Sequence, residues 1–265
     1  MRLTFLGTGT SHGMPVIGCS CRACSSPDGR DARYRASILV EEGGASAVVD
    51  AGPEFRLQAL RARIGLPGGP PPPEALLLTH AHSDHVNGLD DIRPLTMERV
   101  LPVYGERETL DETARRFAYA FRKTQEGGGK PRIELREAPP GGIEIGALGE
   151  LKAVPVPLLH GSIPALGWRF GRLAYLTDAS AIPEGSFRLL EGVEVLVVDG
   201  LRARPHETHF SFGQAIAAAR RIGAASTWIT HICHEATHEE IEAYCAAEGA
   251  DVGARPAWDG LSLEL

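Results

Sequence analysis

The apolar run Ala75-Leu76-Leu77-Leu78 stops abruptly at Thr79-His80-Ala81-His82-Ser83-Asp84-His85, and no other stretch restricts the fold as much. The run predicts a buried strand. A strand that empties three histidines and an aspartate into one loop has to end at an open edge, where those groups can converge. Imidazole and carboxylate suit zinc or manganese. Two ions about 3.5–4 Å apart need ligands that diverge into two sets. His80 and His82 alternate on the extended part and aim at one ion; Asp84 and His85 begin the next turn and aim at the other. The competing reading is a solvated polar loop, against which stands the density of ligand types directly after a buried strand.

A two-metal site needs further donors, and three other strand-like segments end in one. Lys152-Ala153-Val154-Pro155-Val156-Pro157-Leu158 alternates at period two and leads to His160; Leu173-Ala174-Tyr175-Leu176-Thr177 leads to Asp178; Ser226-Thr227-Trp228-Ile229-Thr230 leads to His231. Each alone reads as an ordinary loop residue, and together with H-x-H-x-D-H they read as one site.

This order of H-x-H-x-D-H, His, Asp and His resembles the metallo-β-lactamase superfamily. The resemblance implies His80, His82 and His160 on one ion, Asp84, His85 and His231 on the other, and Asp178 bridging both. It implies an α/β fold, a four-layer αββα sandwich of two mixed β-sheets with the metals at one edge. The chain's own alternation of short apolar strands with helical stretches also argues for sheets buried on both faces. Asp50, after Ser46-Ala47-Val48-Val49, resembles the family's buttress for a metal-binding histidine, and Asp259-Gly260 a structural turn.

Cys19-Ser20-Cys21-Arg22-Ala23-Cys24 is a second constellation, with Cys233 and Cys245 the other cysteines. Three thiolates ask for a fourth ligand to close a tetrahedral zinc, and His234 is the candidate. A disulfide is the alternative. The opening Arg2-Leu3-Thr4-Phe5-Leu6 runs at once into a strand and a glycine turn, not a signal peptide, which favours a reducing, cytoplasmic setting and metal binding. Cys233 and Cys245 read as small structural hydrophobes. Gly7-Thr8-Gly9-Thr10-Ser11, C-x-C-x-x-C and Thr230-His231-Ile232-Cys233-His234 together look like the phosphoribosyl 1,2-cyclic phosphate phosphodiesterases of phosphonate breakdown. That resemblance carries a structural zinc to Cys19, Cys21, Cys24 and His234, a knuckle at about residues 18–25. A relative linked to pyrroloquinoline quinone synthesis shares the pattern.

Phosphodiester cleavage leaves an alkoxide that an imidazolium can protonate. His209, just before a helical stretch at 211–222, fits best; His206 reads as a solvated loop residue and Glu207 as a partner that could orient His209. Thr237 and Glu240 form a capping box, which makes His238 a first-turn surface residue. His12 lies in the glycine loop, touching phosphate or facing water.

The 265 residues, 43% hydrophobic and without a run of the roughly 20 apolar residues a membrane span needs, suit a single domain over 1–265. Helices are expected at 54–64, 106–123 and 239–247, the second with a core stripe of Leu110, Ala114, Phe117 and Phe121; 67–73 and 127–129 read as loops. A net charge of −7 argues against a long nucleic acid, with Arg115, Arg116, Arg122 and Lys123 the only local basic cluster. The expected activity is hydrolysis of a small cyclic phosphodiester by a hydroxide held between two divalent ions, zinc or manganese, with Asp84 accepting a proton and His209 donating one. Lactone or thioester hydrolysis, tRNA 3′-end cleavage and a non-hydrolytic role in quinone-cofactor synthesis are the alternatives; a homodimer is an open assembly state.

Overall fold

The computed structural model describes residues 1–122 and 129–265. Its first sheet contains β1 (Arg2–Gly7), β2 (Ser37–Glu42), β3 (Ala45–Val49), β4 (Ala75–Leu77), β5 (Leu101–Gly105) and β6 (Ile133–Glu137). The second contains β7 (Ile143–Ile145), β8 (Leu151–His160), β9 (Ile163–Phe170), β10 (Leu173–Leu176), β11 (Val195–Asp199), β12 (Ser226–Thr230) and β13 (Ala254–Pro256). The last strand, β14 (Ser262–Glu264), returns to the first sheet, giving orders β14-β1-β2-β3-β4-β5-β6 and β13-β12-β11-β10-β9-β8-β7. Each sheet is mixed. β1, β2 and β3 pair antiparallel, and β3 to β6 run parallel; β7 to β10 pair antiparallel, and β10 to β13 run parallel. Two sheets buried face to face are what the alternating pattern suggested, and their sandwich is the one the resemblance implied.

Period-two alternation divides the strand residues between layers. Leu3, Phe5, Ile38, Val40 and Val49 meet Trp168, Phe170 and Tyr175 between the sheets. Leu6, Leu39 and Val48 turn outward under α1 (Phe55–Arg61). Leu196, Val198 and Ile229 turn outward under α5 (Phe212–Ile222) and α6 (His238–Glu248). Each such buried side chain is worth roughly 1.5–3 kcal/mol. Between α1 and α5 lie α2 (Ser83–Val86), α3 (Arg107–Arg116) and α4 (Ala118–Phe121).

Several helix boundaries differ from expectation. α1 stops at Arg61 because Arg63 takes a positive φ of 59°. The long helix expected over 106–123 breaks at Phe117, whose φ of −105° and ψ of 34° leave helical space. Leu110 and Phe117 are buried as foreseen, Ala114 is half-buried and Phe121 is exposed. Lys123, Gly127 and Gly128 lie outside the described residues. α6 begins with the anticipated capping box: Glu240 N–H donates to Thr237 Oγ1, and Thr237 N–H to the Glu240 carboxylate.

His238, expected on the surface, is 1% exposed. The reason is Arg33, itself buried, whose guanidinium donates to Thr8 Oγ1 at 2.8 Å, the Ala257 carbonyl at 2.6 Å and His238 Nδ1 at 3.0 Å. Thr8 Oγ1 in turn donates to Asp259 Oδ1 at 2.8 Å, and Tyr34 N–H to Oδ2 at 2.6 Å, so the Asp259 turn is structural. Polar atoms at this depth require such mutual satisfaction. Burial, reinforced by the Arg33 charge, lowers the His238 pKa to about 4. An unfolded histidine titrates near 6.5, so between those values the unfolded chain binds the extra proton; stability is complete above about pH 6.5 and is lost as the pH falls toward 4. The melting temperature should therefore drop between pH 7.5 and pH 5. His238→Gln, which keeps an acceptor for Arg33 and does not titrate, should show a smaller drop than the wild type in thermal unfolding.

Candidate metal centre

The parallel strands of both sheets deliver their C-terminal ends to one edge of the sandwich. Asp50 follows β3, Asp178 lies two residues beyond β10, Asp199 ends β11 and His231 follows β12. The chain bends at Thr79, His82 is extended, and Ser83–Val86 then turns into α2, so His80 and His82 precede the turn while Asp84 and His85 lie within it. His160, expected just past a strand, is the last residue of β8. Among the described residues, four non-glycine residues have positive φ: Arg63, Asp50 (61°), Asp178 (52°) and His231 (59°). Left-handed backbone costs about 1–2 kcal/mol in a non-glycine residue. At Asp50, Asp178 and His231 that cost falls directly beyond the strand ends that face the site.

The donor atoms fall into two neighbouring groups. His80, His82 and His160 form one; Asp84, His85, Asp178 and His231 form the other, with ligand atoms within 4.8 Å of one another in each. Asp178 lies between them: Oδ1 is 3.9 Å from His80 Nε2 and 3.3 Å from His231 Nε2, and Oδ2 is 3.2 Å from His85 Nε2. All are buried except His82, which opens to solvent.

Neighbouring groups fix which nitrogen His80, His85 and His160 present. His85 Nδ1 donates to Asp50 Oδ2 at 2.7 Å, and His160 Nδ1 to the Thr208 carbonyl at 2.8 Å. Thr79 Oγ1 donates to Asp50 Oδ2 at 2.8 Å and is left to accept from His80 Nδ1 at 3.1 Å. In each ring the Nε2 lone pair is thereby free for a cation. Nε2 of His80, His85 and His231 is buried without a hydrogen-bond partner, as a divalent ion would require. Burial works against ionisation of Asp84 and Asp178, yet the surrounding imidazoles, His85 and His231 foremost, hold both carboxyls well below the usual range. Burial lowers His160 to about 4, whereas at His231 the Asp178 carboxylate and its neighbours outweigh burial and raise the pKa to about 9.

His209 closes the site, within ligand reach of His160 and Asp178 and stacked at 4.6 Å on the His231 ring. Its Nδ1 donates to Asp199 Oδ2 at 2.7 Å, and Ala179 N–H donates to the same oxygen at 2.9 Å. The orienting carboxylate is thus Asp199, not Glu207. The sequence reading passed over Asp199, although its place at the end of β11 matches the strand-end signal that marked His160, Asp178 and His231. Burial pushes the Asp199 pKa up, which the His209 hydrogen bond opposes. His206 is exposed, its ring 5.3 Å from that of His209, and His12 is exposed.

The cysteine cluster assembles as a separate group. His234 Nδ1 lies 3.3, 3.4 and 3.6 Å from the Sγ atoms of Cys19, Cys21 and Cys24. The edge of a tetrahedron with Zn–S near 2.3 Å and Zn–N near 2.0–2.1 Å is about 3.5 Å, so the donor set fits a zinc ion. The Cys21 thiol is lowered to about 6, chiefly by the backbone N–H of Cys24, while burial raises Cys24 to about 11. Cys245 is buried in α6 and Cys233 is half-buried.

Imidazole and carboxylate donors gathered at the open edge of a two-sheet sandwich are the architecture of a metal-dependent hydrolase. Residues 47–232 match the model of the β-lactamase superfamily domain, and the chain belongs to that family. Within it the chain is PhnP-like: it superposes on a crystal structure of a diphosphatase from the PhnP family with a TM-score of 0.86 and 37% identity, covering 100% of this chain and 97% of that one. A Porphyromonas gingivalis octanoyltransferase is 38% identical over 91% of the chain, which spans only 48% of that protein's length. Coenzyme PQQ synthesis protein B of Methylobacterium sp. is 28% identical, with both chains covered in full. Among the described residues no helix is long and apolar enough to cross a membrane.

Gly52 connects this edge to the core. A Cβ there would lie 2.2 Å from the Asp84 carbonyl oxygen, and the adjacent Ala51 N–H donates to the His85 carbonyl at 2.8 Å. Gly52→Ala should displace α2, lowering bound metal measured by plasma emission and reducing the melting temperature; an unchanged metal content would show that the displacement is absorbed elsewhere.

Proposed function

We propose that the chain is a two-metal phosphodiesterase acting on a small cyclic phosphodiester. The observation that carries this reading is the placement of Asp178 between the His80, His82, His160 set and the Asp84, His85, His231 set, with His209 beside both. The buried, unpartnered Nε2 atoms of His80, His85 and His231 support these assignments. Divalent ions held there would supply hydroxide at neutral pH and neutralise charge on the phosphate.

The remaining steps belong to the chain's own groups. Asp178 keeps the two donor sets in register, and Asp84 accepts the proton lost by the attacking water. His209, held through Nδ1 by Asp199, presents Nε2 and donates its proton to the leaving oxygen. In a cyclic ester that oxygen remains tethered and readily re-attacks, so prompt protonation makes ring opening effective. The PhnP-family diphosphatase supports phosphorus chemistry, because the phosphorus attacked in a substituted diphosphate also carries two bridging oxygens. Cys19, Cys21, Cys24 and His234 hold a third ion, a structural zinc, in this reading.

A second reading has one specific support, the similarity to an octanoyltransferase, which makes cleavage of an acyl thioester the alternative reaction for the same donors.

The deciding experiment assays protein reconstituted with zinc or manganese against 5-phosphoribosyl 1,2-cyclic phosphate, 2′,3′-cyclic nucleotides, a dinucleoside diphosphate, precursor tRNA, a lactone and an octanoyl thioester. Cyclic phosphate turnover is expected; thioester turnover with phosphodiesters inert would reverse the assignment. His209→Ala should lower kcat by about 10²–10⁴-fold with metal content intact, and Asp199→Asn should lower it by less. Cys24→Ser should remove one metal ion per chain and lower the melting temperature while the other ions stay bound.

A further inference from the structure

A groove of about 490 Å³ opens on the same edge of the sandwich, between the β8–β9 hairpin and the ends of β5 and β6. Its floor is Pro155 and Pro157 of β8 with Pro164 and Leu166 of β9. Pro157 lies opposite Leu166 and Leu159 opposite Pro164, so alternation puts all of them on one face of the hairpin. The hairpin also borders the metal cluster, because His160 ends β8. Leu166 N–H donates to the Thr79 carbonyl at 2.9 Å, one residue before His80. Leu159, 40% exposed, carries the apolar strip to the residue before His160, while Ile163 pairs with His160 on the other face of the hairpin.

The floor offers a ligand almost nothing to hydrogen-bond. The Pro157 carbonyl accepts from Ser186 Oγ at 2.7 Å, so its ring nitrogen faces the same outward edge of β8, where β7 pairs only as far as Ala153. Proline on an exposed edge is a common guard against strand addition. That role explains the missing N–H groups but not the exposed leucine that continues the strip. The rim has a sign as well: Glu106, Glu108 and Glu137 stand there with Arg107, which pairs with Glu137 at 2.9 Å, leaving a net negative charge.

We propose that this groove receives the substituent that the cyclic phosphodiester carries outside its ring, an apolar arm ending in a cationic or neutral group and not in an anion. The proposal rests on the two-metal phosphodiester reading for where the phosphate sits. An anionic arm would meet glutamates and a floor without donors, whereas a methylene chain would be dehydrated along prolines and leucines.

The test uses the metal-reconstituted protein and p-nitrophenyl phosphodiesters carrying methyl, hexyl, 6-aminohexyl or 5-carboxypentyl arms. Calorimetric binding of the matching alkyl phosphates supplies a readout that does not need turnover. The hexyl and aminohexyl esters should exceed the methyl ester in kcat/KM by about tenfold or more, with the carboxypentyl ester below both and binding in the same order. Glu108→Arg should raise the carboxypentyl ester against the aminohexyl ester by about tenfold, and Pro164→Glu should remove the hexyl advantage. Turnover or binding indifferent to the arm would overturn the proposal. Binding that follows the arm while every ester stays intact would keep the groove and discard the phosphodiester reading; inert esters bound without regard to the arm would discard both.

Discussion

The structure depends on the cost of burying ionisable groups together. Asp84, His85, Asp178 and His231 are packed within hydrogen-bonding distances at the sandwich edge, yet the Nε2 atoms of His85 and His231 face carboxylates without forming a hydrogen bond. Such a cluster is expensive to dehydrate, and divalent positive charge is the natural compensation. Around it three rings are held from behind: His85 by Asp50, His160 by the Thr208 carbonyl, His80 by Thr79. Fixing the rear nitrogen fixes the ring plane, so a cation meets an assembled set of lone pairs and little reorganisation is needed.

The two halves of each sheet divide the labour. Antiparallel pairing frames the outer part, and the parallel strands beside it end side by side, so a turn of one or two residues suffices to present each donor. Asp50, Asp178 and His231 make that turn in left-handed backbone. The strain is borne where the interior packing of Trp168, Tyr175 and Trp228 keeps both sheets from yielding.

Most of this was legible in the sequence because strand ends are marked locally: an apolar run followed by a lone His or Asp needs no long-range information. Sheets buried on both faces were legible from short apolar strands alternating with helical stretches, and the sandwich from the family resemblance; Leu3, Phe5, Leu39 and Val48 alternate between its layers. What escaped depends on partners distant in sequence. Asp199 contacts a histidine ten residues away across a loop, and its role depends on how that loop folds back. His238 reads as an exposed first-turn residue until Arg33, 205 positions earlier, is found beneath it. The break at Phe117 was hidden because the helical stripe of Leu110 and Phe117 continues through it in sequence, whereas the backbone leaves helical space.

His231 and His234 are separated by two residues, and that short segment is bound to the opening strand region: Ile232 N–H donates to the Thr8 carbonyl at 2.9 Å, and Thr10 N–H to the Ile232 carbonyl at 3.2 Å. The first histidine belongs to the cluster at the sheet edge and the second to the cysteine group. The two centres therefore share a ruler. A substitution at buried Ile232 or at Cys233 leaves that spacing intact, but inserting or deleting a single residue there would throw both histidines out of register at once. The cysteine group and the hydrolase edge are thus built on one spacing, set by the length of this segment and not by the side chains within it.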